Sequence, residues 1–227
     1  MTIAVVIGLY FGSAVLTPLW LQTNMGYNAS WAGASMAFSG VLAVVMAPVV
    51  GKLVTKVDPR ALLTFSLTGL TVIMLWRTTF TMDMTFWQIS EPLLIQGMFM
   101  PFFFLPLMTV ALGTLAPKDI ANGAAMLTFV RTVAGAVATS LMLTTWEDTA
   151  VDVRANLVGA LHPDALGAIG GGPNAQLILE RLVQNQAVMI ATNHMFLICA
   201  VCMALAAGGV WLTPKIQPRK GVGGGGH

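Results

Sequence analysis

Charge is what this sequence lacks. None of the first 51 residues is charged, and Lys52 is the first that is. Charged residues make up 9% of the chain, whereas a soluble domain carries about 25%. A water-facing surface cannot be built from so few. Cysteine is scarce as well: Cys199 and Cys202 form Cys-Ala-Val-Cys inside an apolar run. That spacing can signal metal or redox chemistry, but no second ligand pair accompanies it, so both read as small buried residues. No Ser-His-Asp set, paired-carboxylate site or metal constellation appears, which leaves an enzyme reading without support. The net charge of +2 is small and gives no argument for a nucleic-acid partner.

Hydrophobicity fills the space that charge leaves. Apolar residues are 56% of the chain, arranged in runs of about 20 that read as membrane-spanning helices. Six spans are predicted, at 3–22, 30–51, 61–80, 87–113, 120–145 and 188–213. The first lacks a basic leader and an A-x-A cleavage signal, so it reads as a retained helix. The second follows Asn28 and Ser30, both good N-cap types, so Asn28-Ala29-Ser30 reads as a cap and not as a glycosylation acceptor. The third is entered after a break at Pro59. The fourth contains Pro101 and Pro106, which predict a kink or local unwinding. Residues 146–187, with most of the acidic groups, read as a periplasmic loop, in which "PNAQLILERLVQNQ" has helical spacing. Residues 214–227 form a low-complexity, Gly-rich tail. It is no phosphate loop, because no Lys-Ser/Thr and helix follow it.

Basic residues orient the chain. With an even number of spans both termini share a side, together with Lys52, Lys56, Arg60, Lys118, Lys215, Arg219 and Lys220. Arg77, Arg154 and Arg181 fall on the other side. The termini are therefore expected in the cytoplasm. The fold class expected is an all-α membrane protein, its spans arranged as a three-plus-three inverted repeat of the kind that builds halves of secondary transporters.

Arg131 stands alone in "LTFVRTVAGAVATSL". A charge at the centre of a membrane helix costs about 2.5–3.5 kcal/mol on insertion scales, so a partner is expected. Glu91 is the candidate. At ~1.5 Å per residue the two lie ~7 Å apart along the membrane normal, within reach of a bent arginine. A static ion pair and a role in substrate or proton coupling both fit. The small residues around Arg131, from Thr132 to Ser140, suit either close helix packing or a cavity wall. His194, near the expected outer start of the sixth span, can titrate near neutral pH or serve as a structural polar contact. The 15 methionines and the phenylalanines fit a core, a lipid face or an adaptable apolar binding surface.

Three stretches, "YFGSAVLTPLWLQTNMGYNASWAG", "PVVGKLVTKVDPR" and "LTFVRTVAGAVATSL", taken in order, resemble the C-terminal half of drug:proton antiporters of the EmrB/QacA type. These are 14-helix members of the major facilitator superfamily. The resemblance implies one half of a major facilitator fold in the inner membrane of a bacterium, exporting hydrophobic drug-like compounds by alternating access. It implies no cofactor, with the proton gradient as energy source. It also implies a missing N-terminal half as partner, and a periplasmic adaptor protein and an outer-membrane channel beyond it. Gly51, Leu53, Asp58 and Arg60 match the family's cytoplasmic loop motif, whose charges pair with neighbouring helix ends. Thr55 stands where the fuller motif has an acid, and His194 where close relatives are expected to carry one. Arg131 matches the family's arginine in Arg-Thr-x-Ala/Gly-Gly. A truncated or non-transporting membrane partner of an efflux complex is the alternative, and a homodimer of halves a further one.

Overall fold

The computed structural model describes residues 2–112, 116–160 and 175–212. Six α-helices make up almost all of it: α1 (Thr2–Thr23), α2 (Ala29–Val54), α3 (Pro59–Arg77), α4 (Phe86–Leu112), α5 (Ile120–Ala160) and α6 (Ala175–Gly209). Each is long and apolar enough to cross a membrane. Short 3-10 turns at Pro117–Asp119 and Val210–Leu212 precede α5 and follow α6.

Local chemistry sets the helix starts. The Asn28 side chain accepts from the Trp31 amide at 2.8 Å, capping α2. Asp58 caps α3 in the same way, accepting from the Arg60 amide at 3.1 Å. Pro59 is thus the first residue of α3 and not a break before it. Its fixed φ suits a first helical position, where an amide hydrogen would have no partner.

Two further expectations are corrected. Helix α4 runs unbroken through Pro101 and Pro106. Phe102 and Phe103 just after Pro101 and Leu107 just after Pro106 are buried, and the expected local unwinding does not occur there. The 146–187 stretch is not a loop along most of its length. Helix α5 continues to Ala160 and α6 begins at Ala175. The extensions stay helical because they lean on each other: Trp146, Ala150 and Val188 share one apolar cluster, and Arg154 donates to Glu180 at 2.9 Å. At ~1.5 Å per residue, α5 is ~60 Å long against a hydrocarbon core of ~30 Å.

Packing follows the expected repeat. Helix α1 lies along α5 as α4 lies along α2, and α3 packs on α6. Exchanging the first three helices for the last three preserves these pairs. Both paired crossings close on a glycine. A Cβ on Gly8 would sit 2.5 Å from the Ala138 Cβ and 2.9 Å from the Ala134 carbonyl oxygen. One on Gly97 would collide with the Ser39 carbonyl. Only glycine permits backbones this close.

Among the described residues, three apolar clusters fill the bundle. The largest, around Trp20, Met74, Leu93, Trp146 and Phe196, occupies the end opposite the α2–α3 turn. A second joins Val6, Leu63, Phe103 and Ala206, and a third packs the turn itself through Val50, Leu62 and Phe102. Burial is uneven among the helices. Only 6% of the α2 span and 11% of the α5 span is buried, against half or more of the other four. Valines 41, 44, 45 and 49 of α2 and Met126, Phe129, Val137 and Leu141 of α5 stand uncovered.

Candidate transport site

Arg77 ends α3 and is buried, with only 1% of its surface exposed. Its guanidinium enters the bundle among α1, α4 and α6. Nη2 donates to the Thr17 hydroxyl, and Nη1 donates to Gln96 Oε1 at 3.4 Å. The guanidinium carbon lies 4.1 Å from the centre of the Phe196 ring and 5.9 Å from that of Phe80. Nε has no partner among the described residues. Thr17 passes the chain on, donating to the Ser13 carbonyl at 2.7 Å, and Ser13 donates to that of Tyr10 at 2.8 Å. A cation held only by neutral acceptors and ring faces is unusual in a protein interior, where a charge is ordinarily paired. Two more polar contacts tie the same end together: Trp146 Nε1 donates to Thr192 at 2.9 Å, and Asn193 Nδ2 to the Phe80 carbonyl at 3.1 Å.

Arg131 lies elsewhere, half-buried in an open groove between α1 and α5. The groove, about 650 Å³, is walled by Phe11 and Val15 on α1 and by Thr132, Gly135, Ala136, Thr139, Ser140 and Leu143 on α5. The expected pairing with Glu91 is not formed. Among the described residues the only ion pair is Arg154–Glu180, and Glu91 is exposed. Helices α4 and α5 begin at Phe86 and Ile120, close to the expected starts. The neighbours differ: α5 packs mainly on α1 and α6, and α4 mainly on α2 and α3. Axial offset is readable from a sequence, but lateral adjacency is not. The small residues divide between two faces. Ala134 and Ala138 meet Gly8 of α1, while Thr132, Ala136, Thr139 and Ser140 line the groove. With α6 starting at Ala175, His194 falls mid-helix, exposed, and without a hydrogen bond to a described residue.

Over 236 aligned residues the chain is 34% identical to the multidrug export protein EmrB of Escherichia coli strain K12, covering 96% of this chain. It is 33% identical to the probable multidrug resistance protein EmrY of the same strain over 94% of its own length, and 32% identical to the fatty acid resistance protein FarB of Neisseria gonorrhoeae over 96%. The chain belongs to the EmrB-type family of major facilitator transporters. It spans 44% of the length of each of these relatives and corresponds to their C-terminal half. No protein-family model matches it.

The four residues expected to form a loop motif can now be placed. Gly51 is exposed at the end of α2 and Leu53 leans on the cluster at the turn. Asp58 spends its carboxylate on the α3 cap. The Arg60 side chain is buried, and its Nη2 has no partner among the described residues. In this chain the α2–α3 turn is held by a cap and by packing, and among the described residues Arg60 and Asp58 form no side-chain ion pair. Cys199 is buried and Cys202 partly so, and both are free.

Sequence reasoning missed Arg77, counting it as an outer flanking charge. Its position at a helix end suits an interfacial arginine equally well. The available signal was "MLWRTTF", a lone cation with an aromatic residue on each side and no acid in the same helix. Gln96 and Thr17 carried no signal, since their meeting requires α1, α3 and α4 to be assembled.

Proposed function

We propose that this chain forms the C-terminal six-helix half of a proton-coupled multidrug efflux transporter that works by alternating access. The observation that carries the reading is similarity along nearly the whole chain to export and resistance proteins of about twice its length. The bare faces of α2 and α5 agree with it, because an N-terminal half would cover helices that this chain leaves uncovered. In this reading the cargo is a hydrophobic toxic compound bound between the halves, and the name of the FarB relative is in keeping with an apolar load. Proton entry supplies the energy and no cofactor is needed. Arg131 takes part in binding or coupling, His194 and Glu91 are secondary polar groups, and the motif at Gly51, Leu53, Asp58 and Arg60 stabilises one conformation.

The protein would reside in the bacterial inner membrane with both termini in the cytoplasm. The helical extension of α5 and α6 would then stand in the periplasm, where it could meet an adaptor protein linked to an outer-membrane channel. The extension also gives the non-transporting reading its one specific support, since Val151, Leu177, Ile178 and Leu182 are exposed there and suit a protein contact.

Drug susceptibility in an efflux-deficient strain tests the reading. Resistance should require this chain together with a matching N-terminal half. Resistance from the chain alone would show that copies of it assemble into a working transporter. No resistance from either, with insertion verified, would favour the non-transporting partner. In the resistant combination, Arg131→Ala should lower efflux while leaving insertion intact.

A further inference from the structure

We propose that the groove between α5 and α6 holds a phosphatidylethanolamine of the outer leaflet. One acyl chain lies along the groove, His194 meets the phosphate, and Asp148 meets the ammonium. The proposal rests on the efflux reading above only for the orientation of the chain and the side of α5 that an N-terminal half covers.

The groove has a volume of about 400 Å³ and almost wholly apolar walls: Leu9 of α1, Ala134, Ala138 and Met142 of α5, and Met195 and Ile198 of α6. It is separate from the groove that contains Arg131. At ~100° of turn per residue, Ala134 and Thr145 lie roughly opposite Thr132 and Leu143 on α5. An N-terminal half that completes a site around Arg131 covers that side of α5 and leaves the α6 side to lipid.

Depth agrees with a lipid. Ala134 lies ~21 Å and Thr145 ~37 Å from the start of α5. The groove therefore runs from the outer half of a ~30 Å hydrocarbon core into the headgroup layer, which brings a bilayer to ~40–45 Å. Trp31, Trp76 and Trp87 are exposed at the outer ends of α2, α3 and α4, a belt that sits at headgroup height. Asn193 of α6 donates to the Phe80 carbonyl just past α3, which places the neighbouring His194 in that layer.

The mouth of the groove selects the headgroup. Thr145 lines it, but its hydroxyl is used, donating to the Leu141 carbonyl at 2.8 Å. His194 is exposed one turn before Ile198 and makes no hydrogen bond to a described residue. Because α6 enters from outside, its side chains tilt outward, toward the headgroups. The Trp146–Thr192 bond sets His194 level with Thr145, and Asp148 follows ~4.5 Å further out on the same face of α5. Asp148 and Asp152 are exposed and join no ion pair among the described residues, whereas Arg154 is engaged by Glu180. Outward along the groove the order is apolar wall, imidazole, carboxylate. Phosphatidylethanolamine presents the matching order of chain, phosphate and ammonium. A glycerol headgroup brings no cation to Asp148, and choline brings one without N–H donors.

The test extracts the full chain from vesicles of equal parts dioleoyl phosphatidylethanolamine, phosphatidylglycerol and phosphatidylcholine and counts the retained lipids by native mass spectrometry. One retained phosphatidylethanolamine is expected, favoured about tenfold over each of the others by a charge-assisted hydrogen bond. The double variant Asp148→Asn, Asp152→Asn should erase the preference over phosphatidylcholine. His194→Ala should lower retention of all three lipids several-fold. Ile198→Trp fills the groove and should abolish retention, while Val201→Trp, exposed on the same helix outside the groove, should not. Each replaced side chain is exposed, so the fold is kept, and an unchanged Tm verifies it. Equal retention of the three lipids, or retention that survives Ile198→Trp or is untouched by His194→Ala, overturns the proposal. So does loss of the lipid when an N-terminal half is co-assembled, because that half would then cover the groove. The count needs no transport, so its failure leaves the efflux reading standing, and absence of drug resistance leaves the lipid site standing.

Discussion

Replacing Arg77 separates the packing of the bundle from its charge. Arg77→Ala removes a side chain that is 1% exposed. Truncations of large core side chains cost ~2–5 kcal/mol. Gln96, 3% exposed, loses its described donor, and an orphaned buried acceptor adds ~1–3 kcal/mol. Loss of the desolvated contact with Phe196 adds about 2 kcal/mol. Against these stands the relief of burying an unpaired charge, several kcal/mol in the other direction. The net is a loss of ~2–3 kcal/mol, or a Tm lower by ~4–12 °C for a chain of this size. Arg77→Met keeps most of the volume and gains the same relief, so it should lie within ~1 kcal/mol of wild type. Cys199 is buried and free, so in a Cys202→Ala background a thiol-reactive fluorophore reports unfolding in detergent. If Arg77→Met falls as far as Arg77→Ala, the guanidinium's bonds outweigh its desolvation and the reasoning is refuted. If neither changes Tm, the side chain is not buried as described.

Other outcomes follow from the same contacts. Gly97→Ala places a methyl against the Ser39 carbonyl of α2 and should cost ~1–3 kcal/mol by overpacking; the thermal assay reads it, and Gly33→Ala, with open space around it, is the control. Asp58→Ala removes the cap of α3 and should cost about 1 kcal/mol, while Asp58→Asn should cost little because the amide oxygen still accepts. Breaking Arg154–Glu180, whose side chains are 44% and 61% exposed, should change stability by ~0–1 kcal/mol and less at high salt. A Tm unmoved by Asp58→Ala, or strongly lowered by Arg154→Ala, would contradict the respective assignment.

The places where the sequence reading stopped share a cause. The Arg131–Glu91 pairing was inferred from height along the membrane normal, which a residue count supplies. Whether α5 stands beside α4 depends on which helices exchange across the repeat, and that is a property of the whole bundle. Asp58 was read as part of a charge motif, and the helix end its carboxylate meets is that of α3, an arrangement visible only once the turn has its shape. The 146–187 stretch looked like a loop because its charges interrupt the apolar run. Once past the membrane a helix needs no apolar run, only a neighbour to lean on, and each extension provides one for the other.

The sequence by itself determined the solvent, the number of spans, the approximate helix starts and the kinship. Those depend on composition, local periodicity and residue-by-residue similarity, all of which are written along the chain. Tertiary structure alone decided that Arg77 is enclosed and Arg131 open, that Gly8 and Gly97 are the crossing points, and that α2 and α5 are left bare. Each of these is a relation between helices far apart in sequence, settled when the apolar faces are buried together and no position along the chain records which neighbour it will meet.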